Sequence, residues 1–165
     1  MSLTAPVPLA DGHELAAFHC GLASLDDWLK RRARANHAAG ASRTYVACDG
    51  AMVVGYYALA AGAVRVQEAP GRFRRNTPDP VPVIVLGRLA VDRQWQGRNL
   101  GRSLLRDAGL RVLQAADVVG IRGMLVHALS PEARDFYQAM GLDPSPLDPM
   151  TLMVTVADLK RAVAG

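Results

Sequence analysis

The sequence predicts one mixed α/β domain, with an antiparallel hairpin in its first half and alternating strands and helices in its second half. Three observations support this fold class. The chain has 165 residues, which is the length of a single domain. Two apolar runs flank Asp49-Gly50, a dipeptide typical of β-hairpins. Two later runs are almost wholly apolar and each precedes a helical pattern, which indicates buried strands joined by crossovers.

The first predicted element is a helix over residues 24–38, where apolar residues recur at helical spacing. Ser24 is its expected N-cap. Asp26 and Asp27 follow in the first turn, where the helix dipole favours negative charge. Gly40 is expected to end the helix.

A hairpin is predicted next, with strands at 43–48 and 52–66 around the Asp49-Gly50 turn. The residues at 68–80 are rich in proline, glycine and arginine. They are therefore expected to form an irregular loop.

The second half begins with a long apolar strand at 81–92, which is expected to be buried on both faces. Gly87 within it suggests a bulge or the close approach of another backbone. A helix is predicted at 99–118 from the spacing of its apolar residues, and a second buried strand at 121–129.

The last predicted pair is a helix at 131–140 and a strand at 150–156, which is expected to close the chain. The helix has Ser130 as N-cap and Pro131 at its first position. Gly141 lies just beyond its end, as is typical of a helix stop.

Composition narrows the classes of function. Hydrophobic residues make up 50% of the chain and charged residues 21%, which indicates a packed globule. Cys20 and Cys48 are far apart, and the histidines have no metal-binding spacing, so neither a disulfide framework nor a metal site is expected. No apolar run reaches the ~20 residues of a membrane-spanning helix. The first residues lack a signal-peptide pattern, so we expect a cytoplasmic protein without a membrane role.

The positive charge of the chain is clustered. The net charge is +4, and 17 of the 19 basic residues are arginine, whose forked donors suit phosphate. Residues 28–45 contain five basic residues and no acid, and Arg72, Arg74 and Arg75 follow in the 68–80 loop. Such clusters suggest an anionic partner, although a solvated surface could have the same charges.

The sharpest motif lies where the 81–92 strand leads into the 99–118 helix, in the run Gln96-Gly97-Arg98-Asn99-Leu100-Gly101. The first N–H groups of a helix have no partner within it, and together with the helix dipole they form an anion site. Arg98 and Arg102 add positive charge there. The run fits neither the GxxxxGK[ST] nor the GxGxxG phosphate motif. Its spacing alone leaves open a plain turn followed by a glycine that packs the helix.

This run resembles the Q/R-x-x-G-x-G/A motif with which the GNAT acetyltransferase superfamily binds the pyrophosphate of acetyl-CoA. Residues 133–142, ARDFYQAMGL, are similar to the A-x-x-F-Y-x-x-x-G-F segment of the same superfamily. The fourth motif position, usually glycine, is Asn99, which tolerates a left-handed backbone and should preserve the loop. The resemblance implies a single GNAT domain over 1–165. Its central sheet would be mostly antiparallel, with splayed parallel core strands and flanking helices.

Further segments resemble the GNAT toxins of type II toxin–antitoxin operons, across nearly the whole chain. They include residues 18–21, 25–29, 35–36, 43–46, 55–59, 74–80, 86–92 and 120–128. This resemblance implies transfer of acetyl from acetyl-CoA to the α-amino group of the amino acid on charged tRNA, which blocks translation. It also implies a homodimer and a ribbon–helix–helix antitoxin, through which the complex would repress operator DNA.

The resemblance also assigns roles to individual residues. The backbone of Leu89, Ala90 and Val91 would pair with the pantetheine arm. The pyrophosphate loop would comprise Gln96, Gly97, Arg98, Asn99, Leu100, Gly101 and Arg102. Tyr137 is the catalytic candidate, because a tyrosine with a pKa near 10 can protonate a departing thiolate. A core aromatic packed beside Phe136 is the alternative for this residue.

No aspartate or glutamate stands out as a general base. An α-amino group has a pKa of about 8, against about 10.4 for lysine, and an adjacent ester should lower it further. Much of the amine is then already neutral at pH 7, which suits an aminoacyl ester and equally a protein N-terminus. His127 lies on a core strand and is expected to be a hydrogen-bonded structural residue.

Six basic residues are candidate contacts to the tRNA backbone. They are Lys30, Arg31, Arg34, Arg72, Arg74 and Arg75. Two alternatives to the toxin interpretation stay open. A GNAT enzyme acting on a protein N-terminus or a small amine would share the fold and the cofactor. A weakly catalytic co-repressor partner of an antitoxin would follow if Asn99 weakens cofactor binding.

Overall fold

The computed structural model describes residues 3–164. Its elements are β1 Val7–Pro8, α1 Ala23–Arg31, α2 Ala33–Ala39, β2 Arg43–Asp49, β3 Met52–Val64, β4 Val81–Val91, α3 Leu100–Ala116, β5 Gly123–His127, α4 Pro131–Ala139, β6 Asp143–Pro144, β7 Thr151–Thr155 and α5 Val156–Ala164. The strands form a seven-stranded sheet in the order β1-β2-β3-β4-β5-β7-β6. The β4–β5 pair is parallel, whereas β1–β2, β2–β3, β5–β7 and β6–β7 are antiparallel. The predicted mixed α/β class is therefore confirmed.

The chain forms two compact units. The first contains the residues up to Ala60 together with Gly87–Asp107, and the second contains Ala61–Leu86 together with the residues from Ala108 onward. Three elements, β3, β4 and α3, each run from one unit into the other.

In the first unit, α1 packs on the hairpin through its apolar stripe. Leu25 and Leu29 are buried, and the Trp28 ring stacks on Tyr56 with 6.0 Å between the ring centroids. The Tyr56 hydroxyl donates to the Leu25 carbonyl at 2.7 Å, so this buried polar group is satisfied. The same core includes Phe18, whose ring meets Tyr56 edge-on.

The predicted hairpin is confirmed. Asp49 pairs with Met52, so Gly50 and Ala51 form a two-residue loop. Gly50 has φ +64°, which a glycine adopts without steric cost at the first position of such a loop.

In the second unit, β5 is the central strand. It pairs in parallel with β4 from Val83↔Gly123 to Leu86↔Val126, and antiparallel with β7 over its whole length. The core of this unit brings these strands together with the 68–80 loop, through a buried cluster. That cluster comprises Val64, Ala69, Phe73, Val81, Val83, Leu125 and Met153.

The helix predicted at 24–38 is instead two helices. The chain leaves helical geometry at Arg32, with φ −123° and ψ −29°, and α2 begins at the next residue. Ser24 is not the N-cap, because α1 already begins at Ala23, and no side chain caps it. Gly40 ends α2 in the left-handed conformation, as predicted.

Three elements of the structure were not expected. The predicted last strand is not the last element, because α5 follows β7 directly. β1 and β6 are two-residue strands too short to show a pattern.

β4 is less buried than predicted, with several half-exposed positions. A Cβ at Gly87 would meet no described atom within 4 Å, so the close approach expected there is not found. Within residues 3–164, no helix combines the length and apolar character needed to cross a membrane.

Gly123 is the position where a larger residue should damage the fold most directly. A Cβ there would lie 2.1 Å from the Val154 carbonyl oxygen and 2.8 Å from the Phe73 ring. Because backbone and a packed aromatic must both move, Gly123→Ala is expected to cost about 1–3 kcal/mol of unfolding free energy. Urea denaturation followed by circular dichroism measures this loss. Gly71→Ala is the control, because a Cβ there meets no described atom within 4 Å.

Candidate active site

The loop between β4 and α3 is built on a short 3-10 turn at Arg93–Trp95. Asp92 caps this turn, since its Oδ1 accepts the Gln94 N–H at 3.0 Å. Trp95 is buried at 8% exposure and anchors the turn. The following residues form a second turn that leads into α3 at Leu100.

Two residues of this second turn have a left-handed backbone. Gly97 has φ +78° and Asn99 has φ +64°. Asn99 therefore adopts the conformation for which glycine is usually needed, as expected from its residue type. The Asn99 carbonyl accepts hydrogen bonds from the N–H and the hydroxyl of Ser103, at 3.1 Å and 3.2 Å, which joins the turn to the first turn of the helix.

The backbone at Asn99 can be tested with two substitutions. Asn99→Ala places a Cβ-bearing residue with no local hydrogen-bonding group at positive φ and is expected to cost about 1 kcal/mol or more of unfolding free energy. Asn99→Gly adopts the same φ without strain and should retain the melting temperature and the affinity for acetyl-CoA. Differential scanning and titration calorimetry check the two quantities. If both variants had the same melting temperature and the same affinity for acetyl-CoA, the left-handed backbone at position 99 would not be important.

The loop has the features of an anion site. It opens a helix of 17 residues, whose first N–H groups have no acceptor within the helix. A Cβ at Gly97 would meet no described atom within 4 Å, so the backbone is open to a ligand on that side. Arg98 and Arg102 are exposed, and the Arg98 guanidinium lies over the Trp95 ring at 4.8 Å. These groups fit a pyrophosphate.

The side chain of Gln96 is hydrogen-bonded within the protein. Its Nε2 donates to two carbonyl oxygens, those of Cys20 and Val91, each at 2.9 Å. Both amide hydrogens are therefore engaged within the protein. Of the three β4 residues expected to meet a pantetheine arm, Ala90 is buried, Leu89 and Val91 are half-buried, and Val91 has its carbonyl paired with Gln96.

Tyr137 lies on α4, whose start is fixed by Ser130. The Ser130 hydroxyl accepts the Ala133 N–H at 3.1 Å, so the predicted N-cap is confirmed. Tyr137 is 6% exposed, and its ring meets Phe136 edge-on at 5.3 Å. Burial raises the pKa of Tyr137 to about 12. Within residues 3–164 its hydroxyl has no hydrogen-bond partner.

His127 is hydrogen-bonded, as expected. Its Nδ1 lies 3.0 Å from the Thr151 hydroxyl, which in turn donates to Asp148 at 2.9 Å. Because the threonine proton goes to the carboxylate, Nδ1 of His127 is the donor to Thr151. The ring therefore braces the end of β5 against β7.

The basic residues predicted in the first unit divide into two kinds. Lys30 and Arg31 are exposed in the last turn of α1. Arg34 instead donates to the carbonyls of His13 and Asp11, at 2.5 Å and 3.4 Å. Arg34 thus holds the segment that precedes α1, whereas the side chains of Lys30 and Arg31 are exposed.

The basic residues predicted in the 68–80 loop divide similarly. Nη1 of Arg72 donates to both carboxylate oxygens of Asp158, at 3.0 Å and 3.1 Å. Arg74 donates to the carbonyls of Ala69 and Gln67, at 3.2 Å and 3.3 Å. Arg75 is exposed, and its guanidinium has no partner within the described part of the chain.

A cleft of about 440 Å³ in the second unit adds two arginines that sequence reasoning missed. Arg122 and Arg161 line it together with Arg72, and Asp158 is the acidic residue in its wall. Arg161 also pairs with Asp158, three residues earlier on α5. These arginines lie 39–89 residues apart in sequence, so no local pattern could have grouped them with Arg72.

Comparison with known proteins identifies the family. The acetyltransferase (GNAT) domain profile matches residues 40–141. The chain is 54% identical to the tRNA-acetylating toxin of Mycobacterium tuberculosis (strain ATCC 25618 / H37Rv) over 162 residues, which is 98% of this chain and 97% of that protein.

Solved structures give the same result. The chain is similar to AtaT complexed with acetyl-methionyl-tRNAfMet, with 28% identity, a TM-score of 0.90 and coverage of 97% and 98% of the two chains. It is similar to a tyrosine-to-phenylalanine mutant of the toxin AtaT bound to the C-terminus of the antitoxin AtaR and acetyl-CoA, with 27% identity, a TM-score of 0.85 and 100% of both chains covered. The KacTA–DNA complex matches with 27% identity, a TM-score of 0.82 and 99% of both chains covered. This chain belongs to the GNAT acetyltransferase family.

Proposed function

We propose that this protein is a toxin that transfers the acetyl group of acetyl-CoA to the α-amino group of the amino acid on charged tRNA, and so blocks translation. The observation that carries the proposal is the 54% identity to a tRNA-acetylating toxin over nearly the full length of both chains. The left-handed turn that opens α3 supports it, because its geometry suits the pyrophosphate of acetyl-CoA.

Acetyl-CoA would be held by the backbone from β4 to α3, with residues 1–165 acting as one GNAT domain. The N–H groups of residues 97–102 would bind the pyrophosphate, and the charges of Arg98 and Arg102 would favour it. The backbone of Leu89 and Ala90 would pair with the pantetheine arm. Since the Val91 carbonyl is paired with Gln96, Val91 would offer its N–H.

Tyr137 would act as the general acid. The attacking amine displaces coenzyme A as a thiolate, which a donor must stabilise as the carbon–sulfur bond breaks. With a pKa of about 12, Tyr137 keeps its proton throughout the neutral range. Its pKa lies above that of a thiol, near 8.5, so donation of a hydrogen bond to the departing sulfur contributes more than complete transfer of the proton.

The amine of an aminoacyl ester needs little help from a base, because its pKa is already low. The exposed Lys30, Arg31 and Arg75 would contact the phosphates of the tRNA. The arginines of the 440 Å³ cleft would add positive charge in the second unit, with Arg72 and Arg161 oriented by Asp158. Arg34 and Arg74 would each hold the backbone of their own segment rather than bind RNA.

The similarity to solved toxin structures also supports a set of binding partners. Solved relatives are complexed with tRNA, with an antitoxin and with DNA. We infer that a ribbon–helix–helix antitoxin neutralises this protein, that their complex binds operator DNA, and that the toxin is a cytoplasmic homodimer.

Two other functions make different predictions. An enzyme for protein N-termini or small amines would share the acetyl-CoA loop, yet it would have no use for the exposed basic residues. A weakly catalytic co-repressor would follow if Asn99 impaired the loop. The left-handed φ of Asn99 weighs against that alternative, because the loop keeps its turn.

The test uses labelled acetyl-CoA, the purified protein and total tRNA that is either charged or deacylated. We expect label only in the charged pool, released by mild alkali as an N-acetyl amino acid. Label in neither pool, despite measurable acetyl-CoA binding, would refute the tRNA substrate and favour another amine.

A further inference from the structure

The cofactor loop is held by a segment that lies more than 70 residues earlier in the chain. The His19 N–H donates to Oδ2 of Asp92 at 3.0 Å, and the Arg93 N–H donates to the His19 carbonyl at 2.8 Å. The next carbonyl, that of Cys20, accepts the Gln96 side chain at 2.9 Å. Three hydrogen bonds therefore tie His19 and Cys20, shortly before α1, to the turn that precedes the loop.

This segment is held in turn by Asp26 on α1. The Cys20 N–H donates to Oδ1 of Asp26 at 2.9 Å, and Oδ2 lies 3.3 Å from Nδ1 of His19. Asp26 is only 6% exposed. Burial opposes its charge, but the Cys20 N–H and thiol and the charges of His19 and Lys30 lower the pKa of Asp26 on balance. A buried, ionised carboxylate thus fixes the position of Cys20.

Gln96 passes this constraint to the loop. Its amide donates to the carbonyls of both Cys20 and Val91, so it joins the end of β4 to the segment before α1. Gly97 follows directly, where the left-handed turn begins. The orientation of the first N–H groups of α3 therefore depends on hydrogen bonds within the protein, from Gln96 to the segment before α1 and to the end of β4.

We propose that Asp26 and Gln96 are positioning residues for acetyl-CoA, acting through Cys20 to hold the pyrophosphate loop in its binding conformation before the ligand arrives. This proposal rests on the role proposed above for residues 97–102. A loop that is already ordered loses less conformational entropy on binding, so part of the affinity for acetyl-CoA comes from α1. The effect belongs to binding and leaves the chemical step unchanged.

Asp26→Asn is the direct test. The asparagine amide keeps an oxygen that can accept the Cys20 N–H. The substitution removes the negative charge and places an NH₂ group where Oδ2 of Asp26 faced His19. We expect the acetyl-CoA dissociation constant, measured by titration calorimetry, to rise about tenfold, as for the loss of a charge-assisted hydrogen bond. KM for acetyl-CoA should rise equally, with kcat within about twofold of wild type.

Asp27→Asn is the matched control, because Asp27 is the exposed neighbour on the same helix turn and carries the same charge. It should leave the dissociation constant unchanged. Gln96→Met provides a second variant that keeps the side-chain volume and removes both donors. Gln96→Met should also raise the dissociation constant for acetyl-CoA, and it tests the proposal even if Asp26→Asn does not fold.

Hydrogen exchange of the ligand-free protein separates this proposal from the proposed function. Asp26→Asn should speed exchange at residues 97–102 relative to β2, whether or not tRNA is the acceptor. A wild-type dissociation constant together with wild-type exchange in both variants would overturn the positioning role. A fall in kcat with unchanged acetyl-CoA affinity would overturn it as well. If wild-type protein binds no acetyl-CoA, the proposed function fails and the role in acetyl-CoA affinity fails with it, while the exchange result still decides whether Asp26 orders residues 97–102.

Discussion

Replacing Tyr137 with phenylalanine is expected to slow acetyl transfer about 10²–10⁴-fold, the usual contribution of a general acid. The substitution removes one hydroxyl and leaves the ring packed beside Phe136. That hydroxyl has no partner within residues 3–164, so its removal leaves no buried group unsatisfied. Affinity for acetyl-CoA should therefore stay near that of wild type. Initial rates with charged tRNA, together with titration calorimetry, measure the two quantities.

Tyr56→Phe is the matched control for this change. It removes a buried hydroxyl that does have a partner, the Leu25 carbonyl at 2.7 Å. The expected cost is about 1 kcal/mol of unfolding free energy, without a loss of rate at a temperature where the protein stays folded. If Tyr137→Phe transferred acetyl as fast as wild type, another group or water would stabilise the departing thiolate. Tyr137 would then be a core aromatic and nothing more.

Sequence patterns predicted the fold where local rules decide it. The hairpin follows from Asp49-Gly50, and α4 follows from Ser130, Pro131 and Gly141, each of which acts within a few residues. α5 was missed because β7 passes into it without a loop, so no turn residues separate the two. A signal was present, since the Thr155 hydroxyl accepts the Asp158 N–H at 3.0 Å, as an N-cap does.

The candidate site was predictable only in part, because local sequence patterns do not reveal contacts between distant residues. The left-handed turn at Asn99 follows from its place in the motif and from the tolerance of asparagine for positive φ. The sequence predicted for Asp26 only a favourable interaction with the helix dipole. In the fold its side chain is buried and accepts the Cys20 N–H. Contacts such as Gln96 to Cys20 join residues 76 positions apart, and only the folded chain brings them together.

Reversing the charge of both Lys30 and Arg31 is expected to weaken tRNA binding at least tenfold. Each side chain that binds a phosphate releases counterions, so the slope of log affinity against log salt should fall by about 0.7–0.9 for each phosphate that is no longer bound. Both residues are exposed at the end of α1, so their replacement by glutamate leaves the core intact. Filter binding of deacylated tRNA at several salt concentrations measures the affinity and the slope.

The control carries the same change of charge elsewhere. Arg65→Glu with Lys160→Glu takes the net charge from +4 to 0, as does Lys30→Glu with Arg31→Glu, and all four side chains are exposed. If both double variants bound tRNA equally weakly, binding would depend on overall charge and α1 would have no particular role. Lys30→Glu with Arg31→Glu should retain acetylation of a small amino acid ester at saturating acetyl-CoA. A loss of tRNA affinity confined to this double variant would then place the tRNA on α1. In that case α1 would serve both ligands: its first turn would hold the cofactor loop through Asp26, and its last turn would bind RNA.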